Sequence, residues 1–109
     1  MAERPASQLL TLLEDLRQGD DHLLSFIDLL EARFSAREVD VRAFVPEPKR
    51  FDRLRREARE LIERFPEPQD RPSLFGLPIG VKDIFHAQGF LTRAGSRVPP
   101  EELHGLEAE

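Results

Sequence analysis

VDVRAFV, Val39 to Val45, is the stretch on which the fold turns. Val39, Val41, Ala43 and Val45 alternate with Asp40, Arg42 and Phe44. A period of two is the pattern of a strand with one covered face. Pro46 and Pro48 follow and end the ladder, since proline has no N–H to donate. A strand here puts a β element between helical segments and sets the fold class.

Upstream, ASQLLTLLEDLRQGD carries Leu9, Leu10, Leu12, Leu13 and Leu16, in steps of three and four that fit one helix face. Ser7 suits an N-cap and Gly19 a stop. DDHLLSFIDLLEARFSARE starts a second helix at Asp20 or Asp21, with Leu23, Leu24, Ile27, Leu30, Ala32 and Phe34 in helical period. Downstream of the prolines, KRFDRLRREARELIERF returns to helix. Its stripe is Phe51, Leu54, Ala58, Leu61, Ile62 and Phe65. The like pair Arg55 and Arg59 and the opposite pair Arg56 and Glu60 each weigh only about a few tenths of a kcal/mol.

PEPQDRPS, Pro66 to Ser73, reads as a proline-rich connector, neither helix nor central strand. LFGLPIGVKDIF then alternates again: Leu77, Ile79 and Val81 on one face, Pro78, Gly80 and Lys82 on the other. From His86 onward HAQGFLTRAGSRVPP reads as loop, with Gly89 and Gly95 supplying positive φ. The order is helix, helix, strand, helix, strand, long loop. Two strands with such connections do not make an independently stable sheet, and a structureless loop of about 15 residues is uncommon unless functional or disordered. The expectation is α/β: the N-terminal part of a larger mixed-sheet domain, incomplete on its own. Residues 1–72 form its mostly helical region with one strand, and residues 73–109 the lysine-bearing strand and following loop.

The 109 residues carry a net charge of −5, with 34% charged and 39% hydrophobic residues. That is too patterned for plain disorder. It shows no basic face, which argues against nucleic acid or an anionic membrane as partner. The absence of cysteine removes disulfide, thiolate and cysteine–zinc chemistry. His22, His86 and His104 fall at no spacing that pairs them on a helix, so neither metal nor cofactor is expected. MAERPASQLL lacks the features of a signal peptide, and no apolar run approaches spanning length. A cytoplasmic protein is the expectation.

Unlike Lys49, which sits between Glu47 and Arg50, Lys82 follows an uncharged run from Ser73 to Val81. In the ordinary reading it ends a strand, snorkels to water and pairs with Asp83 or another acid. In the sharper reading Val81, Ile84 and Phe85 desolvate it, lower its pKa and make it a base for a hydroxyl. Gly80, on the same face, leaves room for a second backbone or a substrate. GLPIGVK is no phosphate loop, because the glycine spacing differs and no Ser or Thr follows the lysine. Asp83 and His86 could form an acid–base pair, although a loop histidine is more often simply hydrogen-bonded. Thr92 and Ser96 are candidate nucleophiles, or hydroxyls that bond local backbone in turns.

SLFGLPIGVKDIFHAQGFLTRAGS, Ser73 to Ser96, resembles the amidase signature family. The likeness is sharp over 74–96 and extends loosely over 23–109. It departs from the family's pattern at Ser73, where proline is frequent, at Phe75, at Ile84 and Phe85, where Asn-Ile is common, and at Arg93, so that TRAGS stands for TTAGS. The resemblance implies a Ser–cis-Ser–Lys hydrolase of amide bonds, a small-molecule amide as substrate, and an amidase-signature-type α/β sheet. It maps the catalytic lysine onto Lys82. It also implies a nucleophilic serine, a bridging serine and backbone N–H groups for the oxyanion, all in a Gly-Gly-Ser-Ser-Gly-Gly-like segment downstream. Ser7, Ser25, Ser35, Ser73 and Ser96 are the chain's serines, and none has that context. The chain is therefore expected to be inactive alone, with self-association of exposed apolar surface. A non-enzymatic helical interaction module, or the N-terminal part of an amidotransferase A-type subunit, stands as the alternative.

Overall fold

A computed structural model describes residues 6–94, Arg97 and residues 99–103. Three α-helices hold most of the described backbone: α1, Ala6–Gln18; α2, Asp20–Val41; and α3, Arg50–Arg64. Short 3₁₀ turns follow at Pro68–Asp70 and Pro100–Leu103. The chain divides into two compact units, the first ending at Leu77 and the second beginning at Pro78.

In the first unit α2 packs against both α1 and α3, and the 3₁₀ turn at Pro68–Asp70 lies against α1. Gly19 is the one-residue break between α1 and α2, with extended backbone, and its carbonyl accepts from His22 N at 3.3 Å. The second helix thus starts at Asp20. Helix α1 begins at Ala6, so Ser7 lies inside its first turn rather than ahead of it. The core is Leu16, Leu23, Ile27, Ala58 and Phe75, flanked by Leu12, Leu24, Phe26, Phe51, Leu54, Leu61, Ile62 and Phe65. Every member of the α3 stripe reaches this cluster, as its period requires. Leu9, Leu10 and Leu29 stay exposed.

Asp28 and Glu31 of α2 hold Arg55 of α3, at 2.9 and 2.6 Å. Hydrogen bonds donated first to Glu31 and then to Asp28 raise the Arg55 pKa above its ordinary value. Arg53 reaches Glu47 at 2.5 Å and Glu57 at 3.0 Å. Arg50 lies over the Phe34 ring at 4.9 Å and the Phe44 ring at 5.5 Å.

The expected α/β architecture is overturned, because the described residues contain three helices and no strand. Val39–Val45 is not a strand. Helix α2 runs through Val41 and ends on Arg42, whose φ of 50° is left-handed and whose N–H reaches Glu38 O at 2.8 Å. Nothing between Asp20 and Val41 breaks a helix. Two valines near its end cost only about a few tenths of a kcal/mol each, and a strand without a neighbour gains no ladder bonds to offset them. The Glu38 carboxylate accepts from Ala43 N (2.6 Å) and Phe44 N (2.9 Å), so one side chain satisfies the next two amides. Val39, Val41 and Val45 are exposed.

The second expected strand also fails. Phe75 N bonds Pro72 O at 3.0 Å and Leu77 N bonds Leu74 O at 3.1 Å, so the backbone there turns. These turns carry Phe75, 2% exposed, into the helical core. Gly76 has φ of 75°, and a Cβ on it would meet Leu23 Cδ1 at 2.8 Å. Glycine is needed there both for the turn and for the close approach.

Candidate functional site

The second unit carries Lys82. Ile79 is 78% exposed and Val81 59%, and Ile84 and Phe85 are also exposed. Lys82 is exposed as well. The expected desolvation by Val81, Ile84 and Phe85 is therefore absent, because an apolar neighbour that faces water excludes none. Nothing lies within 4 Å of where a Gly80 Cβ would stand, and with no strand there Gly80 and Lys82 do not share a sheet face. Among the described residues Lys82 makes no ion pair with Asp83 or another acid.

After Lys82 the backbone closes on itself. Phe85 N donates to Lys82 O at 3.1 Å, which makes a turn directly behind the lysine. Asp83 then receives two bonds from the far side of the loop. Its carboxylate accepts from Arg93 N at 3.1 Å, and its carbonyl accepts from Ala94 N at 2.8 Å. Ala94 is left-handed, with φ of 51°. Residues 83 to 94 thus form a loop with bonded ends, as in compact Ω-loops. Thr92 is buried, and its Oγ donates to Phe85 O at 3.2 Å. The same Oγ lies 2.9 Å from His86 Nδ1, which donates to it in the Nδ1-protonated tautomer. Phe90 N donates to Ala87 O at 3.1 Å at the loop tip, where Gly89 has φ of 85°.

The candidate residues divide accordingly. Lys82, Asp83, His86 and Thr92 lie in one loop. Asp83 and His86 do not bond each other: Asp83 serves backbone amides and His86 serves Thr92. Thr92 bonds local backbone, as a turn hydroxyl does. Ser96, Gly95 and His104 lie outside the described residues. His22 is in the first unit, exposed, with Nδ1 2.8 Å from Asp15 Oδ1. Among the described residues no three acidic, histidine or cysteine side chains gather as a metal site. No described helix is long and apolar enough to cross a membrane.

The first unit holds an arrangement that periodicity does not reveal. Arg71 is a buried cation whose side chain is fully covered. It donates to Phe65 O at 2.9 Å, to Arg17 O at 3.2 Å and to Asp20 Oδ1 at 2.6 Å. Its guanidinium stacks 4.6 Å from the Phe75 centroid. One side chain thereby ties the last turn of α1, the start of α2 and the end of α3. The Arg-Pro pair inside a proline-rich stretch was the available signal, since guanidinium groups suit backbone carbonyls at helix ends. A shallow depression beside it, lined by Glu14, Arg17, Gln18, Pro68 and Gln69, is open to solvent.

No protein-family model matches the chain, and no curated protein or solved structure matches it either.

Proposed function

We propose that this chain is the lysine-bearing part of an amidase-type hydrolase of carbon–nitrogen bonds, with Lys82 as the base. The observation that supports the reading most is the closure of the signature-like string. Its Val-Lys-Asp and Thr-Arg-Ala portions are joined by a local closure, with Asp83 bonding both Arg93, 10 residues on, and Ala94. Lys82 stands at the neck of that loop, accessible to an incoming segment. In the proposed reaction the amine of Lys82 takes a proton through a bridging serine from a nucleophilic serine. The nucleophile attacks the amide carbon, the amine leaves with a proton, and water hydrolyses the acyl-enzyme. Both serines come from sequence other than these residues, and the segment that brings them also covers Lys82.

The test begins with the source DNA beyond codon 109, searched in all frames for a Gly-Gly-Ser-Ser-Gly-Gly-like segment. The product that includes it is then assayed on simple amides, with and without Lys82→Ala and Lys82→Met. The reading expects turnover only in the longer product and its loss in both variants. Wild-type turnover in either variant removes Lys82 from the mechanism, and absence of the segment in every frame removes the amidase reading.

A second reading, a helical interaction module, has one specific observation in its favour. The first unit closes a core around α2, and among the described residues no buried side-chain polar atom lacks a partner. Cooperative unfolding of the 109-residue chain, monomeric over a wide concentration range, would favour it. Weak cooperativity with concentration-dependent association would favour the amidase part.

A further inference from the structure

We propose that Asp83 is a positioning residue for Lys82, fixing the backbone that carries the lysine through the amides of Arg93 and Ala94. The inference rests on the reading of Lys82 as a base and adds the device that holds it in place.

Ile79 and Val81 before the lysine are exposed and lie outside any helix or sheet. The restraint on the lysine therefore comes from the residues after it. Asp83 supplies both of its oxygen functions to the opposite end of the loop, the carboxylate at 3.1 Å to Arg93 N and the carbonyl at 2.8 Å to Ala94 N. The carbonyl bond exists for any residue at this position. The carboxylate bond depends on the side chain, and it orients the peptide next to Lys82. Asp83 is half-buried while Lys82 is exposed, so the anchor is the covered member of the pair. The Thr92 hydroxyl, bonded to Phe85 O, closes the same neck one turn farther on.

Asn keeps an acceptor oxygen in the same place and removes the charge, whereas Ala removes both. The decisive comparison is therefore Asp83→Asn against Asp83→Ala in the full chain, read by nuclear magnetic resonance. The proposal expects the Lys82 amide order parameter to stay near about 0.85 in wild type and Asp83→Asn and to drop below about 0.6 in Asp83→Ala. Exchange of the Arg93 amide should quicken about five- to tenfold in Asp83→Ala alone, the loss of one ordinary hydrogen bond, while the Ala94 amide, bonded to the backbone carbonyl of residue 83, keeps its protection. An Asp83→Ala protein with wild-type order at Lys82 overturns the proposal. So does an Asp83→Asn protein that loosens as much as the alanine variant, since the effect would then come from charge. Unchanged amide shifts in α1, α2 and α3 show that the helical unit is intact in each variant. Should Lys82→Ala leave turnover of the serine-containing product intact, the reading of Lys82 as base fails, whatever the order parameters show.

Discussion

Arg71→Ala should be among the most damaging single changes in the helical unit. Arginine rarely lies fully buried without partners, and here it has three: two backbone carbonyls and the Asp20 carboxylate. Arg17 O belongs to the last turn of α1 and Phe65 O to the residue that caps α3, both positions where helices leave carbonyls unpaired. Removal of the guanidinium strips both. Hydrogen bonds to a charged group contribute about 1.5–3 kcal/mol each, and water entering the space vacated by the side chain would recover part of that. The Asp20 side chain is 59% exposed, so its pairing adds little, as for other solvated ion pairs. Stacking on Phe75 adds about 1 kcal/mol.

These contributions come to about 4–7 kcal/mol, and with part recovered by water a loss of about 3 kcal/mol or more is expected. The 77 residues up to Leu77 are expected to have a stability of about 4–12 kcal/mol in total. Urea unfolding followed by helical circular dichroism measures the difference directly. Arg71→Lys should fall between wild type and alanine, because one ammonium cannot span three acceptors with the geometry of a planar fork. If Arg71→Ala unfolds within about 1 kcal/mol of wild type, well under that loss, the buried contacts do not tie the helices together.

Gly76→Ala should cost about 2 kcal/mol in the same unfolding experiment, from the positive φ and from the contact at 2.8 Å with the buried Leu23 side chain; an unchanged urea midpoint would contradict it. Phe75→Ala should cost about 3–5 kcal/mol, the usual loss for a buried phenylalanine. Lys82→Ala should leave stability within about 0.5 kcal/mol, since the residue is exposed and unpaired with any described acid. Glu47 has a pKa held below its ordinary value, first by the hydrogen bond from Arg53. A carboxyl depressed in the folded state contributes fully above its unfolded value, about 4.3, and loses that contribution as pH falls through the lower folded value. The stability gap between wild type and Glu47→Gln should therefore be constant near neutrality and shrink below about pH 4. A gap independent of pH throughout would refute the pairing.

The helical half of the fold was legible because its information is local. Leu13, Leu16, Leu23 and Ile27 recur at helical spacing and are buried, and Phe51 through Phe65 lines the core as its stripe requires. Gly19 marks the break where expected. The alternation of Val39 to Val45 misled because a period of two describes which side chains would share a face if the backbone were extended. It does not supply the neighbouring strand that makes extension favourable. The helix entering from Glu38 had bonds to continue, and the valines followed it. Phe75 and Arg71 were missed for the opposite reason. They sit in proline-rich turns with no period, and only the packed helices give them an environment.

The same distinction governs Lys82. A short string can encode how its own backbone closes. Asp83 meets Arg93 and Ala94, and Thr92 meets Phe85, within a dozen residues. A string cannot encode desolvation, which needs apolar atoms stacked over the amine from elsewhere, and Val81, Ile84 and Phe85 face water instead. The closed loop is thus a precondition of the proposed chemistry rather than the chemistry itself. Two requirements remain for turnover, a nucleophilic hydroxyl within reach and a cover over the amine. In the proposed reaction a segment bearing the serines would bring both at once.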